Sequence, residues 1–382
     1  MSKNVMIVAG EASGDMYGAR VVEEAHRLDS SVRFFGIGGV AMRRAGVETL
    51  VDSKEMAVMG LFEIVSHFGV IYRAFKLLKS RLLTDKPDLL ILIDYPGFNL
   101  RLAAVAKRAG VKVFYYITPQ VWAWHSSRAR KIARLVDHAA VILPFEAPFF
   151  ERVGLPVTFV GHPLLEMALP SMSKEAFQDE FGLDHNLRTV GLFPGSRKRE
   201  IDSLLPVMLE SAKLLLERFP DLQYILPLAS SVDRETVDRQ VSASGVAVTV
   251  VEGKNYDVMQ ACDAIIAASG TVTMEIALFG VPMVIVYKAS PLTFAIGIRL
   301  LNVEHVGICN IVAGERIVPE LLQDEAEPVK IADELTKMLA DSKYADSIRR
   351  KLLNVRSLLG DSGASRRVAR LAMDIMEQGK VK

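Results

Sequence analysis

At 382 residues the chain is long for one hydrophobic core, and two domains are expected. Half of the residues are apolar and 24% are charged, which excludes a disordered or low-complexity chain. The formal net charge is only +1, and without a recognition motif it argues against nucleic-acid binding. That charge divides unevenly: residues 1–162 hold 21 Lys+Arg against 15 Asp+Glu, and the remainder 25 against 30. The basic first half suits phosphates or acidic lipid headgroups, although an ordinary solvated face gives the same count. Cys262 and Cys309 sit in no metal or redox spacing and fit a reducing compartment. An apolar strand begins almost at once, and no uncharged apolar run reaches the ~18 residues of a membrane span. A cytoplasmic chain follows, with any membrane contact peripheral.

In chain order, short apolar runs predict strands at 4–10, 32–36, 88–94, 112–117, 138–143 and 157–160. A second series follows at 188–194, 222–228, 246–251, 263–268 and 283–287. Amphipathic stretches of helix length separate them, among them 98–109, 200–218 and 328–340. Strands alternating with helices imply parallel sheets, and runs such as Leu89–Ile93 suit strands buried on both faces. Pro163, Pro170, Ser171 and Ser173 interrupt the pattern before it restarts. The expected fold is α/β with two Rossmann-like domains facing a cleft, 1–165 and 172–345. The remaining 346–382 reads as helices that pack across the domain boundary or against another copy in a homodimer.

Ligands bind outside the carboxyl ends of strands in open parallel sheets, so polar residues there are the candidates. The first strand leads into Glu11, Ser13, Gly14 and Asp15, a small-residue turn friendly to anions but common among such loops. Gly36-Ile37-Gly38-Gly39 loosely fits a dinucleotide fingerprint, yet follows the second strand instead of the first. Between Leu61 and Leu83, Ile64, Phe68, Ile71, Phe75, Leu78 and Leu82 form one apolar stripe beside Arg73, Lys76, Lys79 and Arg81. Phe68, Ile71 and Phe75 are either a membrane-docking patch or the inner face of an ordinary surface helix. Asp94 ends the Leu89–Ile93 strand and is placed to take a proton from an attacking hydroxyl, or to serve only as a turn residue. Trp122 and Trp124 read equally as a structural corner or a substrate wall.

In the second half, Pro194-Gly195-Ser196-Arg197 follows a strand and opens a long helix. Ser196 offers a cap, the helix start offers backbone N–H groups, and Arg197 a planar cation for phosphate. Ser269, Gly270 and Thr271 repeat the arrangement, with Glu275 one helical turn on and able to accept two ribose hydroxyls. A plain helix cap with a nearby arginine or glutamate is the competing account of each. The histidines show no metal-ligand spacing and no Asp-x-Asp occurs, so no metal and no cofactor is expected.

Several blocks together resemble the lipid-A-disaccharide synthases. They run from Ala9-Gly10-Glu11-Ala12-Ser13-Gly14-Asp15 through Phe35-Gly36-Ile37-Gly38-Gly39 and Ile93-Asp94-Tyr95-Pro96-Gly97-Phe98-Asn99 to Val121-Trp122-Ala123-Trp124 and Leu143-Pro144-Phe145-Glu146. They continue with Phe159-Val160-Gly161-His162-Pro163, Pro194-Gly195-Ser196-Arg197, Ala268-Ser269-Gly270-Thr271, Asn310-Ile311-Val312-Ala313-Gly314 and Pro319-Glu320-Leu321-Leu322-Gln323. The resemblance implies a metal-independent, inverting glycosyltransferase of the GT-B type. Its donor would be UDP-2,3-diacylglucosamine and its acceptor 2,3-diacylglucosamine 1-phosphate, lipid X. The product would be the β-1′,6-linked disaccharide precursor of lipid A, with UDP released. By position, Asp94 matches the general base, Arg197 a diphosphate contact, Glu275 a ribose contact, and Asn310 and Gln323 polar residues lining the nucleotide pocket. Gly97 departs from a second aspartate found in many members, and Cys309 from a common proline. Acylated substrates imply peripheral docking on the anionic inner face of the inner membrane. Another GT-B UDP-sugar transferase, a UDP-sugar epimerase, or a non-catalytic nucleotide-sugar or lipid binder remain the alternatives.

Overall fold

The computed structural model describes residues 3–56, 61–124, 126–289 and 304–378. The chain forms two compact units, Met1–Pro163 together with Leu359–Lys382, and Leu164–Leu358. The expected third segment, 346–382, is therefore divided. Helix Ser342–Leu358 stays in the second unit, and helix Ala364–Gln378 packs on helix Ala12–Leu28 of the first.

The first unit holds seven strands: β1 Asn4–Ala9, β2 Arg33–Gly38, β3 Glu48–Asp52, β4 Leu89–Ile93, β5 Lys112–Tyr116, β6 His138–Val141 and β7 Val157–Phe159. They lie in the order β3-β2-β1-β4-β5-β6-β7, every neighbouring pair parallel. All five β4 residues are fully buried, as a strand covered on both faces by helices must be. The second unit holds β8 Arg188–Phe193, β9 Leu222–Leu228, β10 Val248–Glu252, β11 Ala264–Ala268, β12 Met283–Tyr287 and β13 Glu320–Leu322. Their order is β10-β9-β8-β11-β12-β13, again all parallel. Each unit is thus Rossmann-like. In each, the strand order reverses direction once, between β1 and β4 and between β8 and β11, the point outside which open parallel sheets take their ligands.

The stripe on helix Leu61–Asp85 belongs to the core of the first unit. Ala74, Leu78 and Leu82 are buried, and Ile71 and Phe75 pack against the same cluster, with Phe75 edge-on to Phe98 at 5.8 Å. This corrects the assignment of Ile71 and Phe75 to a membrane patch: a helix lying on a sheet buries its apolar stripe there, whatever its flanking charge. The Phe68 side chain lies outside the described residues. The outward face carries Tyr72, Leu77 and Leu83 with Arg73, Lys76 and Lys79. Among the described residues, no helix is long and apolar enough to cross a membrane.

Candidate active site

In the first unit, Ala9 of β1 pairs with Ile93 of β4, so the loops that follow leave the sheet side by side. Asp94 and Tyr95 both adopt left-handed backbone angles, φ +45° and +47°. The turn lays the Tyr95 ring over Gly10, where a Cβ would stand 2.5 Å from the ring carbon Cγ. Gly10 is therefore required by the close approach. The Tyr95 hydroxyl is anchored on the Met56 carbonyl at 3.0 Å. Asp94 is half-buried, and its carboxyl is pushed up to about 6, by desolvation first and the Glu11 carboxylate second. A carboxylate poised there is ionised at neutral pH yet basic enough to take a proton. Glu11 stands exposed at the start of helix Ala12–Leu28.

The rest of that loop turns inward. Asp15 is buried, and its oxygens accept from the backbone N–H of Gly39 at 2.6 Å, Ala41 at 2.9 Å and Met42 at 3.1 Å. It caps helix Val40–Arg44 from a buried position and spends both carboxylate oxygens on backbone N–H groups, which corrects its place in an anion-friendly turn. Gly14 is buried against Ala9 and Ile93 and brings helix and sheet together, so it too is scaffold. Ser13 is half-buried. The same capping accounts for the loose dinucleotide fingerprint, since Gly38 and Gly39 lead into the helix that Asp15 holds. Trp122 is a structural corner: its indole N–H donates to Glu146 at 3.2 Å and its ring meets Phe145 edge-on at 4.8 Å. The Trp124 side chain lies outside the described residues.

In the second unit, Phe193 of β8 pairs with Ala267 of β11, and the two glycine-containing loops again emerge together. They enclose a cavity of about 330 Å³, lined among others by Ser196, Arg197, Ser269, Gly270, Thr271 and Glu275. Helix Thr271–Phe279 opens here with no side-chain cap, leaving its positive end toward the cavity. The start of helix Lys198–Arg218 is different. Glu200 reaches back to accept from the backbone N–H of Ser196 at 2.9 Å and of Arg197 at 3.2 Å, and pairs with the Arg197 guanidinium at 3.2 Å. Gly195, at φ +107°, leaves room for that carboxylate, which a Cβ would overlap. Glu275 is pushed up to about 7 by desolvation, opposed by a hydrogen bond from Tyr256. Asn255, Pro227 and Ala229 also line the cavity. Sequence reasoning missed them, because two are apolar and Asn255 begins a helix after no recognisable motif.

Asn310 and Gln323 are not among the cavity's described lining. Asn310 is fully buried: its amide donates to Val318 O and Glu320, and its oxygen accepts from Ile317 and Val318 N–H. Every hydrogen-bonding direction of that side chain is spent inside the fold. Gln323 bonds both polar groups of Ala289, at 2.6 and 2.9 Å. Both residues therefore shape the backbone of the second unit, a correction to the pocket-lining role expected of them.

The family model described as lipid-A-disaccharide synthetase matches residues 5–372. The chain belongs to that family. It is 59% identical over 375 residues to a lipid-A-disaccharide synthase of Geobacter metallireducens, and 58% identical to one of Geobacter sulfurreducens, covering 98% of each chain in both cases. In fold it is similar to the UDP-GlcNAc 2-epimerase of Neisseria meningitidis in complex with UDP-GlcNAc, at a TM-score of 0.66 and 15% identity, over 97% of this chain and 100% of that one. That likeness establishes the GT-B type of architecture and nothing of the reaction. Family membership separates the reactions: the chain is a glycosyltransferase of lipid A biosynthesis, and the epimerase alternative is not favoured.

Proposed function

We propose that the enzyme transfers 2,3-diacylglucosamine from UDP-2,3-diacylglucosamine to the 6-hydroxyl of lipid X with inversion, giving the β-1′,6-linked disaccharide and UDP. The observation that carries this is Asp94, a carboxylate with raised proton affinity at the switch point of the first sheet. Asp94 takes the proton of the acceptor hydroxyl as its oxygen bonds to the anomeric carbon. The bond to UDP breaks on the opposite face. The second-unit cavity takes the nucleotide: Glu275 receives the ribose hydroxyls, and Arg197 with the open helix start at Thr271 meets the growing charge on the diphosphate. The test is mass spectrometry of the products from UDP-diacylglucosamine and lipid X with EDTA present. A disaccharide 1-phosphate and stoichiometric UDP are expected. Loss of product with the chelator would refute a metal-independent reaction, and UDP release without acylated acceptor would refute lipid X as the acceptor.

The acyl chains of both substrates support peripheral docking on the anionic inner face of the inner membrane. The outward cations Arg73, Lys76 and Lys79 supply the attraction, worth about 1 kcal/mol each near an acidic surface. Replacing all three with glutamine is expected to weaken binding to phosphatidylglycerol vesicles by about 100-fold at low salt. Equal co-sedimentation of the variant would remove this face from docking.

A further inference from the structure

Two successive non-glycine residues in the left-handed region are unusual, and Asp94 and Tyr95 hold it only because their surroundings do. The fastening is on the backbone of Asp94. Its carbonyl oxygen accepts from the Asn99 side-chain amide at 2.7 Å and from the Tyr115 hydroxyl at 2.6 Å. The same Asn99 amide also donates to Ile93 O at 3.1 Å, and the Asp94 N–H donates to Tyr116 O at 3.3 Å. Both fastening side chains are wholly buried. Asn99 stands in the first turn of helix Pro96–Arg108, and Tyr115 on β5 beside Leu92 of β4. Among the described residues the oxygen of the Asn99 amide is buried without a hydrogen-bond partner, so this side chain is kept for its donor end at the cost of an unmet acceptor. Tyr115 is likewise fully buried, and its hydroxyl finds its acceptor in the Asp94 carbonyl.

We propose that Asn99 and Tyr115 clamp the Asp94 carbonyl and so set the direction of its carboxylate, making them positioning residues for the proton transfer. Rotation about the Asp94 backbone swings the carboxylate, and small misplacements of a reacting group are costly. The proposal rests on Asp94 being the base. The ionisable groups facing Asp94 are Glu11, at the start of helix Ala12–Leu28, and Tyr115 on β5, with Tyr95 adjacent in the chain.

The test compares Tyr115→Phe, which keeps the ring and loses only the hydroxyl, with Asn99→Ala, each also made in an Asp94→Asn background. In the native background kcat should fall by about 10-fold for either variant, with UDP affinity within about 2-fold. The acid limb of the kcat/KM profile should move to lower pH, because a released carboxylate swings toward water. In the Asp94→Asn background either change should alter the residual rate by less than about 2-fold, since there is no longer a carboxylate to aim. Equal losses in both backgrounds, or an unshifted acid limb, mean that the two residues only support the fold, and the clamp is overturned. Should one variant fail to fold, the other decides alone. If Asp94→Asn by itself keeps near-native turnover, it is the base assignment that falls, a result distinct from normal clamp variants beside an inactive Asp94→Asn.

Discussion

Replacing Asp94 with asparagine is expected to cut turnover by roughly 10³-fold, about 4 kcal/mol of transition-state stabilisation, while UDP binding stays unchanged. The substitution keeps shape and hydrogen-bonding reach, and asparagine tolerates left-handed backbone angles as well as aspartate does. What it removes is the ability to take a proton. The residues proposed to bind the nucleotide all belong to the other compact unit, so the donor should bind as before. The wild-type pH profile carries the same information. With the carboxyl raised to about 6, the group is ionised and competent above that pH and protonated below it, so kcat/KM should decline tenfold per unit on the acid side. Glu11→Gln, by removing a neighbouring negative charge, should shift that limb to lower pH and leave its slope intact. Turnover within tenfold of the native enzyme in Asp94→Asn, with the limb still near 6, would assign proton transfer to another group.

Much of the architecture was legible because it depends on local pattern. Each of the eleven predicted runs meets a strand, and Leu89–Ile93 is as continuous in burial as in sequence. The two missed strands are edges: Glu48–Asp52 has only Leu50 and Val51 as apolar residues, and Glu320–Leu322 has only three residues, so neither carries enough apolar signal. Strand order could not be read from the chain at all. It is the order that brings Gly10 beside Asp94 and Pro194 beside Ala268, from segments far apart in sequence. Polar residues in these loops were the least legible. Glu275 and Asp15 both follow a glycine turn at the start of a helix, yet Glu275 lines the cavity and Asp15 turns back to cap a neighbouring helix. Which way a carboxylate points is settled by partners 24 to 27 residues distant, such as the N–H groups of Gly39 and Met42, and no local spacing encodes them. Asn310 and Gln323 were misplaced for the same reason. Their partners at 317, 318, 320 and 289 are backbone groups and one glutamate that a linear motif cannot reveal.

Glu275→Leu is expected to weaken UDP binding by about 30-fold and to abolish its pH dependence near neutrality. The carboxylate accepts hydrogen bonds and donates none when ionised, so it holds two ribose hydroxyls only in that form. Hydrogen bonds to a charged group are worth about 1.5–3 kcal/mol, which brackets the expected loss. In the free protein desolvation raises this group to about 7, so near neutral pH a substantial fraction carries a proton. Binding of hydroxyl donors favours the ionised form and must displace that proton. Apparent affinity should therefore rise between pH 6 and 8 in the native enzyme, levelling above about 7, as linkage requires of a group that loses a proton on binding. The leucine variant removes the titrating group and should give a flat curve over the same interval, apart from ionisation of the ligand's own phosphate. Uridine, which keeps the ribose and lacks the phosphates, separates the two: its affinity should follow pH in the native enzyme and not in Glu275→Leu. If calorimetry finds the same pH dependence for uridine in both proteins, the ribose contact belongs to another polar residue of the cavity wall, such as Asn255.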